Sequence, residues 1–512
     1  MNQSEKIQPH AWWTLVAVSL GTFMLLLDIT IVVVALPDIQ KALGAGFSDT
    51  QWTIDAYSLS LASLLLVSGS VADIFGRRLV FAAGLVIFTT ASLLCGLAQS
   101  PDMLIAFRAV QGIGGATIFA TSLALLAQNF HGKARGTAFG VWGAVVSLST
   151  AAGPLLGGLL TTEIGWRWIF FVNIPVGIVA VIVTLRYVRE SQPEKSRKVD
   201  FPGFAVFTLG LVSLVYGLIR ADGHGWTNTV SLVAFVLAAV LLAAFPFVER
   251  AVKQPMFDLT LFRKPTFVGG AIAAFAMNGS LFAMLLYFTL YLQEVLHYSA
   301  LATGVRLMVI SGGILVAATV AGRLSSHVPV RLLIGPGLIM VGVGLLLMRG
   351  LNAGSSWTHL IPGMIVGGVG IGLTNPPLAS TAVGVVPPQR AGMASGINST
   401  FRQVGIATGI ALLGTLFSSN VKDEVVARVA AVPGLSHQGQ QIAAAVQSGQ
   451  IGQVIGKLPG PARQAVATIT RAAFTTGLNR ILLVAAIVAL VSGVVALAAI
   501  RGKDFVQAGP PR

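Results

Sequence analysis

The sequence predicts an all-α polytopic membrane protein with fourteen transmembrane helices. Three observations predict it. Of the 512 residues, 55% are hydrophobic and only 10% are charged, whereas a soluble domain carries about 25% charge. The mean hydropathy is +0.82. The apolar residues also fall into fourteen continuous runs, each of a length that lets one helix cross a hydrocarbon core of about 30 Å. Only helices and closed barrels satisfy their own backbone in lipid, and runs this long, many of them glycine-rich, read as helices.

In order, the runs are 14–36, 52–73, 79–98, 103–128, 136–160, 168–188, 201–220, 229–248, 266–292, 301–323, 332–350, 359–386, 392–417 and 477–500. The first, TLVAVSLGTFMLLLDITIVVVAL, is uncharged apart from Asp28. A carboxylate at that depth costs roughly 2.5–3.5 kcal/mol on insertion scales, so something must offset it or use it. Trp12, Trp13, Trp52, Trp166, Trp168, Trp226 and Trp357 stand near run ends, as an interfacial belt would.

Lysine and arginine set the expected orientation. Arg77, Arg78, Lys133, Arg135, Arg189, Lys195, Arg197, Lys198, Arg250, Lys253, Arg263, Lys264, Arg331, Arg390, Arg501 and Lys503 all fall in alternate short connections or after the last run. Those connections are expected in the cytoplasm, and an even number of crossings puts both termini there too. The net charge of +15 is therefore assigned to topology and not to nucleic acid. Cys95 is the one cysteine, so an intramolecular disulfide is excluded. The start, MNQSEKIQPHAWW, shows no small-residue cleavage site after a short core, so no cleaved signal peptide is expected.

The charged stretch RESQPEKSRKVD (189–200) divides six runs from the rest. The expected organisation is a six-helix bundle at 1–190, two linker helices at 191–260 and a second six-helix bundle at 261–512. A long extracytoplasmic loop near 418–476 precedes the last run. Its amphipathic pieces, such as KDEVVARVAAV, predict partial helix near the membrane surface. A faint repeat links GSVADIFGRR (69–78), which closes the second run, to AGRLSSHVPVR (321–331), which closes the tenth. Two related six-helix halves are the architecture of a transporter that rocks about a central site.

Four stretches carry chemistry. In GSVADIFGRR, Asp73 sits at a helix end and Arg77 and Arg78 follow a turn at Gly76; such a group can bridge neighbouring helix ends and favour a helix N-terminus. LIAFRAVQGIGGA (104–116) places Arg108 and Gln111 inside the fourth run, where an arginine needs a partner. GAVVSLSTAAGPLLGG (143–158) carries small residues that admit close helix approach and Pro154, which removes a backbone hydrogen bond and bends its helix. The fourth is LDITIVVVALP (27–37), around Asp28.

These stretches resemble, in order, motif A (G-x-L-A-D-R-x-G-R-R), motif B and the antiporter motif C of the major facilitator superfamily, and the L-D-x-T-I-V-N-V-A-L-P signature of its fourteen-span drug:proton antiporters. The departures are Val71 and Ile74 in the first, Ser149 for the central glycine of the third, and Val33 for the asparagine of the last. WRWIFFVNIPVG (166–177) and GMASGINSTFRQVGIATG (392–409) are similar to that group as well, and the resemblance covers essentially the whole chain. It implies a major facilitator fold of two six-helix bundles plus two extra helices. It also implies a proton-coupled exporter of hydrophobic, cationic drugs or antibiotics, acting as a monomer in the bacterial cytoplasmic membrane.

On this reading Asp28, Asp55 and Arg108 couple to protons, since burial favours a neutral carboxyl that can load and release one. Asp28 as a structural acid, and Asp55 as a solvated helix-start residue, are the alternatives. Gly69, Asp73, Gly76, Arg77 and Arg78 would form a conformational latch, and Gly140, Gly153, Pro154, Gly157 and Gly158 the antiporter motif. Gln111, Asn278, Phe282, Tyr287, Asn375, Asn398 and Arg402 are the candidates for the substrate cavity, with ordinary packing the alternative for the apolar ones. Arg306 and Glu294 read as interfacial. The chain has no nucleotide-binding G-x-x-x-x-G-K-[ST] and no histidine spacing for a metal. No cofactor, metal or enzymatic activity is expected. The rival readings are an exporter of one endogenous metabolite, antibiotic or lipid, and a nutrient symporter.

Overall fold

The structure, a computed structural model, describes residues 9–45, 47–130, 132–191, 200–252, 255, 257–325, 327–430, 435, 438–447 and 460–506. Lys195, Arg197, Lys198, Lys253 and segments 431–434, 436–437 and 448–459 lie outside the described residues. So do the side chains of Lys133, Pro154, Phe282 and Glu294.

Every regular element among the described residues is helical. The first six runs are α1 (Pro9–Leu43), α2 (Phe47–Phe75), α3 (Arg77–Gly96), α4 (Pro101–Asn129), α5 (Gly132–Glu163) and α6 (Trp168–Tyr187). Next come α7 (Phe201–His224) and α8 (Thr229–Ala251). The last six are α9 (Pro265–Gln293), α10 (Ala300–Leu324), α11 (Arg331–Leu347), α12 (Ile361–Gly384), α13 (Ala391–Val429) and α14 (Gly460–Ala499). Among the described residues, twelve of these helices contain a stretch long and apolar enough to cross a bilayer; the others are α5 and the 17-residue α11.

The connections supply the caps that start these helices. Ser100 accepts from the Met103 amide at 3.3 Å ahead of Pro101 in α4, and Asp200 accepts from the Gly203 amide at 2.8 Å at the start of α7. Asn228 and Ser299 do the same for α8 and α10. Each satisfies one of the amides left unpaired at a helix N-terminus.

One apolar core joins α9–α14, from Met277 and Phe288 through Leu338 and Met364 to Leu482. Another joins α1–α5 and continues into Ala379, Val383, Met393 and Ile397 of α12 and α13. Across the two groups, α2 packs on α13 and α5 packs on α10. Helices α7 and α8 pair with each other, and α7 also lies against α2 and α13. The outermost helix is α8, where Val233, Val236 and Val240 are 59–62% exposed and Phe247 69%. A contiguous apolar face of that kind is tolerated in lipid and not in water.

The basic connections gather at one end. There Arg390 pairs with Asp258 at 2.6 Å, Lys264 Nζ donates to the Val385 carbonyl at 2.8 Å, and Arg135 Nη2 donates to the Ser380 carbonyl at 3.1 Å. The C-terminal segment docks at this end through Asp504, which accepts from the Thr266 amide. The Thr266 hydroxyl first, then its amide and the nearby Lys503 and Arg501 charges, hold the Asp504 carboxyl below its ordinary value.

The stretch expected as a long loop differs. Helix α13 has 39 residues, about 58 Å at 1.5 Å per residue, and so projects past the hydrocarbon core. The extension is helical because Val421, Val425 and Val429 repeat at i, i+4 and pack with Leu435, Ile442 of a short helix (Gly439–Gln447), and Val466 and Phe474 of α14. The amphipathic face meets protein there. One π segment, Asn278–Phe282, interrupts α9 and a second, Tyr291–Val295, ends it; such bulges are frequent at functional sites.

Candidate functional site

Asp28 lies in the middle of α1 and is fully buried. Its carboxylate is ion-paired with Nη1 of Arg108 on α4. Gln111, one turn along α4, donates from Nε2 to Asp28 Oδ1 at 2.9 Å and accepts from Arg108 Nη1 at 2.6 Å. Asn173 of α6 donates to Asp28 Oδ1 at 3.1 Å and to Ser92 Oγ of α3 at 2.9 Å. Arg108 Nε reaches the Thr53 carbonyl of α2 at 3.1 Å, and its guanidinium stacks 4.2 Å from the Tyr57 ring centroid. Five helices therefore converge on one acid–base pair. Burying a lone charge is expensive, and burying a pair is tolerable only when the remaining donors and acceptors are also satisfied. That condition is met here.

Asp28 and Arg108, each expected to couple to protons, meet here, and Asn173 and Ser92, which the sequence does not single out, join them. The signal was present in FVNIPVG, where an amide interrupts an apolar helix. Gln111, expected on the cavity wall, belongs to this cluster. Asp55 stands half-buried on α2, two residues beyond Thr53.

The motif around Pro154 packs α5 onto α1 next to this pair. A Cβ on Gly153 would overlap Thr30 Oγ1, two residues from Asp28, and one on Gly157 would crowd Ile31. Gly158 faces open space. Overpacking at such a contact costs about 1–3 kcal/mol. Gly153→Ala is expected to cut drug extrusion from energised cells at least tenfold at equal expression, whereas Gly158→Ala leaves it unchanged. Equal effects from the two would remove the close-approach argument.

At the basic end, Asp73 spans the two helix groups. It accepts from Arg77 Nε at 3.1 Å and Nη2 at 2.9 Å, and from the Gly392 and Met393 amides at 3.0 and 2.9 Å. The carboxylate thus caps the N-terminus of α13, where the helix dipole favours negative charge. Arg77 also donates to the Pro388 carbonyl and to Gln128 Oε1. Gly69 and Gly392 face each other backbone to backbone, with no room for a Cβ on either. Gly76 takes φ +107°, a conformation that favours glycine, and lies against Glu190. Glu190, which the sequence reading did not single out, caps α3 by accepting from the Arg78 and Leu79 amides at 3.0 Å each. Gly136 of α5 and Gly322 of α10 meet in the same way, and Gly140, one turn further along α5, lies tight against Gly322 as well. Gly322 lies in AGRLSSHVPVR, so the faint repeat marks two equivalent glycine crossings, α2 on α13 and α5 on α10.

The remaining expected residues lie in α9, α12 and α13. Tyr287 is buried in the apolar core against Phe417, with ring centroids 5.1 Å apart. Asn278 turns its amide onto the Ala274 carbonyl of its own helix at 2.8 Å. Asn375, Asn398 and Arg402 are buried, and Asn375 Oδ1, Asn398 Nδ2 and Arg402 Nε and Nη2 have no hydrogen-bond partner among the described residues.

Residues 18–410 match the profile of the Major Facilitator Superfamily. The multidrug resistance protein Stp of Mycobacterium tuberculosis is 38% identical over 79% of this chain and 76% of its own length. The puromycin resistance protein pur8 of Streptomyces alboniger is 37% identical over 80% and 82%. The tetracenomycin C resistance and export protein of Streptomyces glaucescens is 35% identical over 96% and 92%. Among solved structures, the human organic anion transporter MFSD10 superposes with a TM-score of 0.61 over 94% of this chain and all of that one, at 16% identity. At that identity the likeness is one of fold.

Proposed function

We propose that this chain, which belongs to the Major Facilitator Superfamily, is a proton-coupled antiporter that exports hydrophobic drugs or antibiotics by alternating access. Membership makes it a multi-pass membrane transporter and not an enzyme, and its relatives are multidrug and antibiotic resistance proteins. The observation that carries the finer reading is the buried Asp28–Arg108 pair. A proton delivered to Asp28 cancels its attraction for Arg108 and frees hydrogen bonds from α4 and α6. A local protonation then changes how α1 sits against its neighbours. The bundles, α1–α6 within 1–190 and α9–α14 within 261–512, rock on the glycine crossings, with α7 and α8 in 191–260 as flanking linkers. The positive-inside arrangement supports cytoplasmic termini in a bacterial cytoplasmic membrane, and the unit of transport on this reading is the monomer.

A cationic substrate, which the resemblance implies, would be drawn to a buried carboxylate such as Asp28. That carboxylate is engaged by Arg108, Gln111 and Asn173, so a cation there would compete with an internal arginine. Export of a single endogenous antibiotic is the second reading. It is favoured by relatives named for resistance to one compound, among them the tetracenomycin C exporter that aligns over nearly the whole chain. The test is proton movement in sealed proteoliposomes with a pH-sensitive dye trapped inside. An imposed pH gradient is challenged with ethidium, then with neutral and anionic drugs. Collapse that depends on a substrate is expected; no collapse with any of them would overturn antiport.

A further inference from the structure

Three arginines are buried among the described residues: Arg77, Arg108 and Arg402. Arg77 holds Asp73 and Arg108 holds Asp28. Arg402 is 4% exposed and has neither an acid nor, at Nε and Nη2, any hydrogen-bond acceptor among the described residues. An uncompensated buried guanidinium is one of the most unfavourable groups a membrane protein can keep, and chains that keep one use it. Its surroundings are polar and equally unpartnered. Ser395, Asn398, Ser399 and Arg402 form one stripe of α13 at helical spacing, and each carries a buried polar atom without a partner among the described residues. Asn375 Oδ1 on α12 is in the same condition.

The neighbours of α13 fix where the stripe points. Gly392 and Gly396 lie on α2, Gly405 and Gly409 on α9, and Thr415 accepts from Trp226 beside α8. The stripe lies between the α2 and α9 faces and away from Thr415, hence toward the space between the two bundles. Counted from the turn that joins α12 to α13, Asn375 and Arg402 stand about 14 and 17 Å along their helices. They therefore share a depth near the bilayer midplane, where transporters of this architecture bind their cargo. The two unpartnered donors of Arg402 are also a matched set. Nε–H and Nη2–H form the edge that takes a carboxylate side-on, and Arg77 presents that same edge to Asp73. The Asp28–Arg108 pair is neutral overall, and between Asp258 and Asp423 the sequence holds one acid, Glu294.

We propose that Arg402 is the receptor for an acidic group, a carboxylate or similar planar oxyanion, on an otherwise hydrophobic transported compound. This rests on the exporter reading and replaces its cationic substrate class with an acidic one. Purified full-length protein in lipid nanodiscs tests it by fluorescence anisotropy and displacement, with empty nanodiscs as the blank. The probes are fluorescein and 1-naphthoate, each against its methyl ester, with ethidium as the cation. Each acid is expected to bind wild type at least tenfold more tightly than its ester. Arg402→Gln is expected to abolish that preference and leave ethidium unweakened; Arg402→Lys, which keeps the charge and loses the fork, retains part of it. Absence of acid preference in both pairs on wild type, or its survival in Arg402→Gln, overturns the proposal. If Arg402→Gln fails to fold, the wild-type pairs and Arg402→Lys decide. No proton movement enters this measurement, so a failed antiport assay and a failed anion site give different results.

Discussion

Asp28→Asn is expected to bring substrate-driven proton movement in proteoliposomes down to the level of empty vesicles, a loss of at least a hundredfold, while the protein still inserts and binds substrate. Asparagine keeps an oxygen for Gln111 and Asn173, which now donate to Asp28 Oδ1, but it carries no titratable proton and no charge for Arg108. The substitution therefore also exposes an energetic cost. Removing one partner of a buried pair leaves the other uncompensated, typically at about 3–5 kcal/mol. Asp28→Asn is expected to lower the melting temperature, and Asp28→Asn combined with Arg108→Gln to recover much of it, because both charges are then gone. Coupling should stay lost in the double variant. Thermal recovery with coupling absent separates the chemical role of the carboxylate from its structural one. Proton movement that persists in Asp28→Asn would return Asp28 to a purely structural acid.

The elements of this fold were legible because lipid leaves few alternatives. A run of about twenty apolar residues has to be a helix, and short connections with caps such as Ser100 and Asp200 fix where each begins. Asp28 and Arg108 announced themselves as charges that needed an answer. Their amide partner Asn173 did not, since one uncharged side chain in an apolar run carries little cost on any hydropathy scale, and its pairing is decided by how α6 packs on α1 and α3. The same holds for Glu190. It sits in a stretch that reads as topology-setting charge, and only the fold turns it onto the start of α3. The helix at the end of α13 was legible as an amphipathic piece, and what covers its apolar face was not. Residues 418–429 are too polar to read as a span, yet their valines repeat at helical spacing and find a protein surface. Arg402 was legible as a residue and not as an unpaired one, because the absence of an acid facing it among the described residues is a property of three helices together.

Opening the basic end should depend on Asp73 more than on any other single side chain. Its two oxygens collect four donors, two from Arg77 on its own side and two amides of α13 across the interface. Asp73→Asn removes the charge that favours the α13 N-terminus and leaves at most one carbonyl oxygen to accept. Hydrogen bonds to a charged group contribute about 1.5–3 kcal/mol each, so losing even one cross-bundle bond shifts a two-state equilibrium about tenfold or more. Ser395, fully buried on α13 one turn beyond Gly392, reports on this when replaced by cysteine in a Cys95→Ser background. A membrane-impermeant thiol reagent added from the basic side is expected to label that position at least tenfold faster in Asp73→Asn. The extrusion rate should fall, because a transporter biased toward one state completes its cycle slowly. The backbone contact between Gly69 and Gly392 gives an independent arm. Gly69→Ala inserts a Cβ where the Gly392 carbonyl stands, and should raise labelling in the same direction with Asp73 intact. If neither substitution changes the labelling rate, the contacts at this end do not hold the closed state, and Asp73 is a local cap for α13 with no part in the conformational cycle.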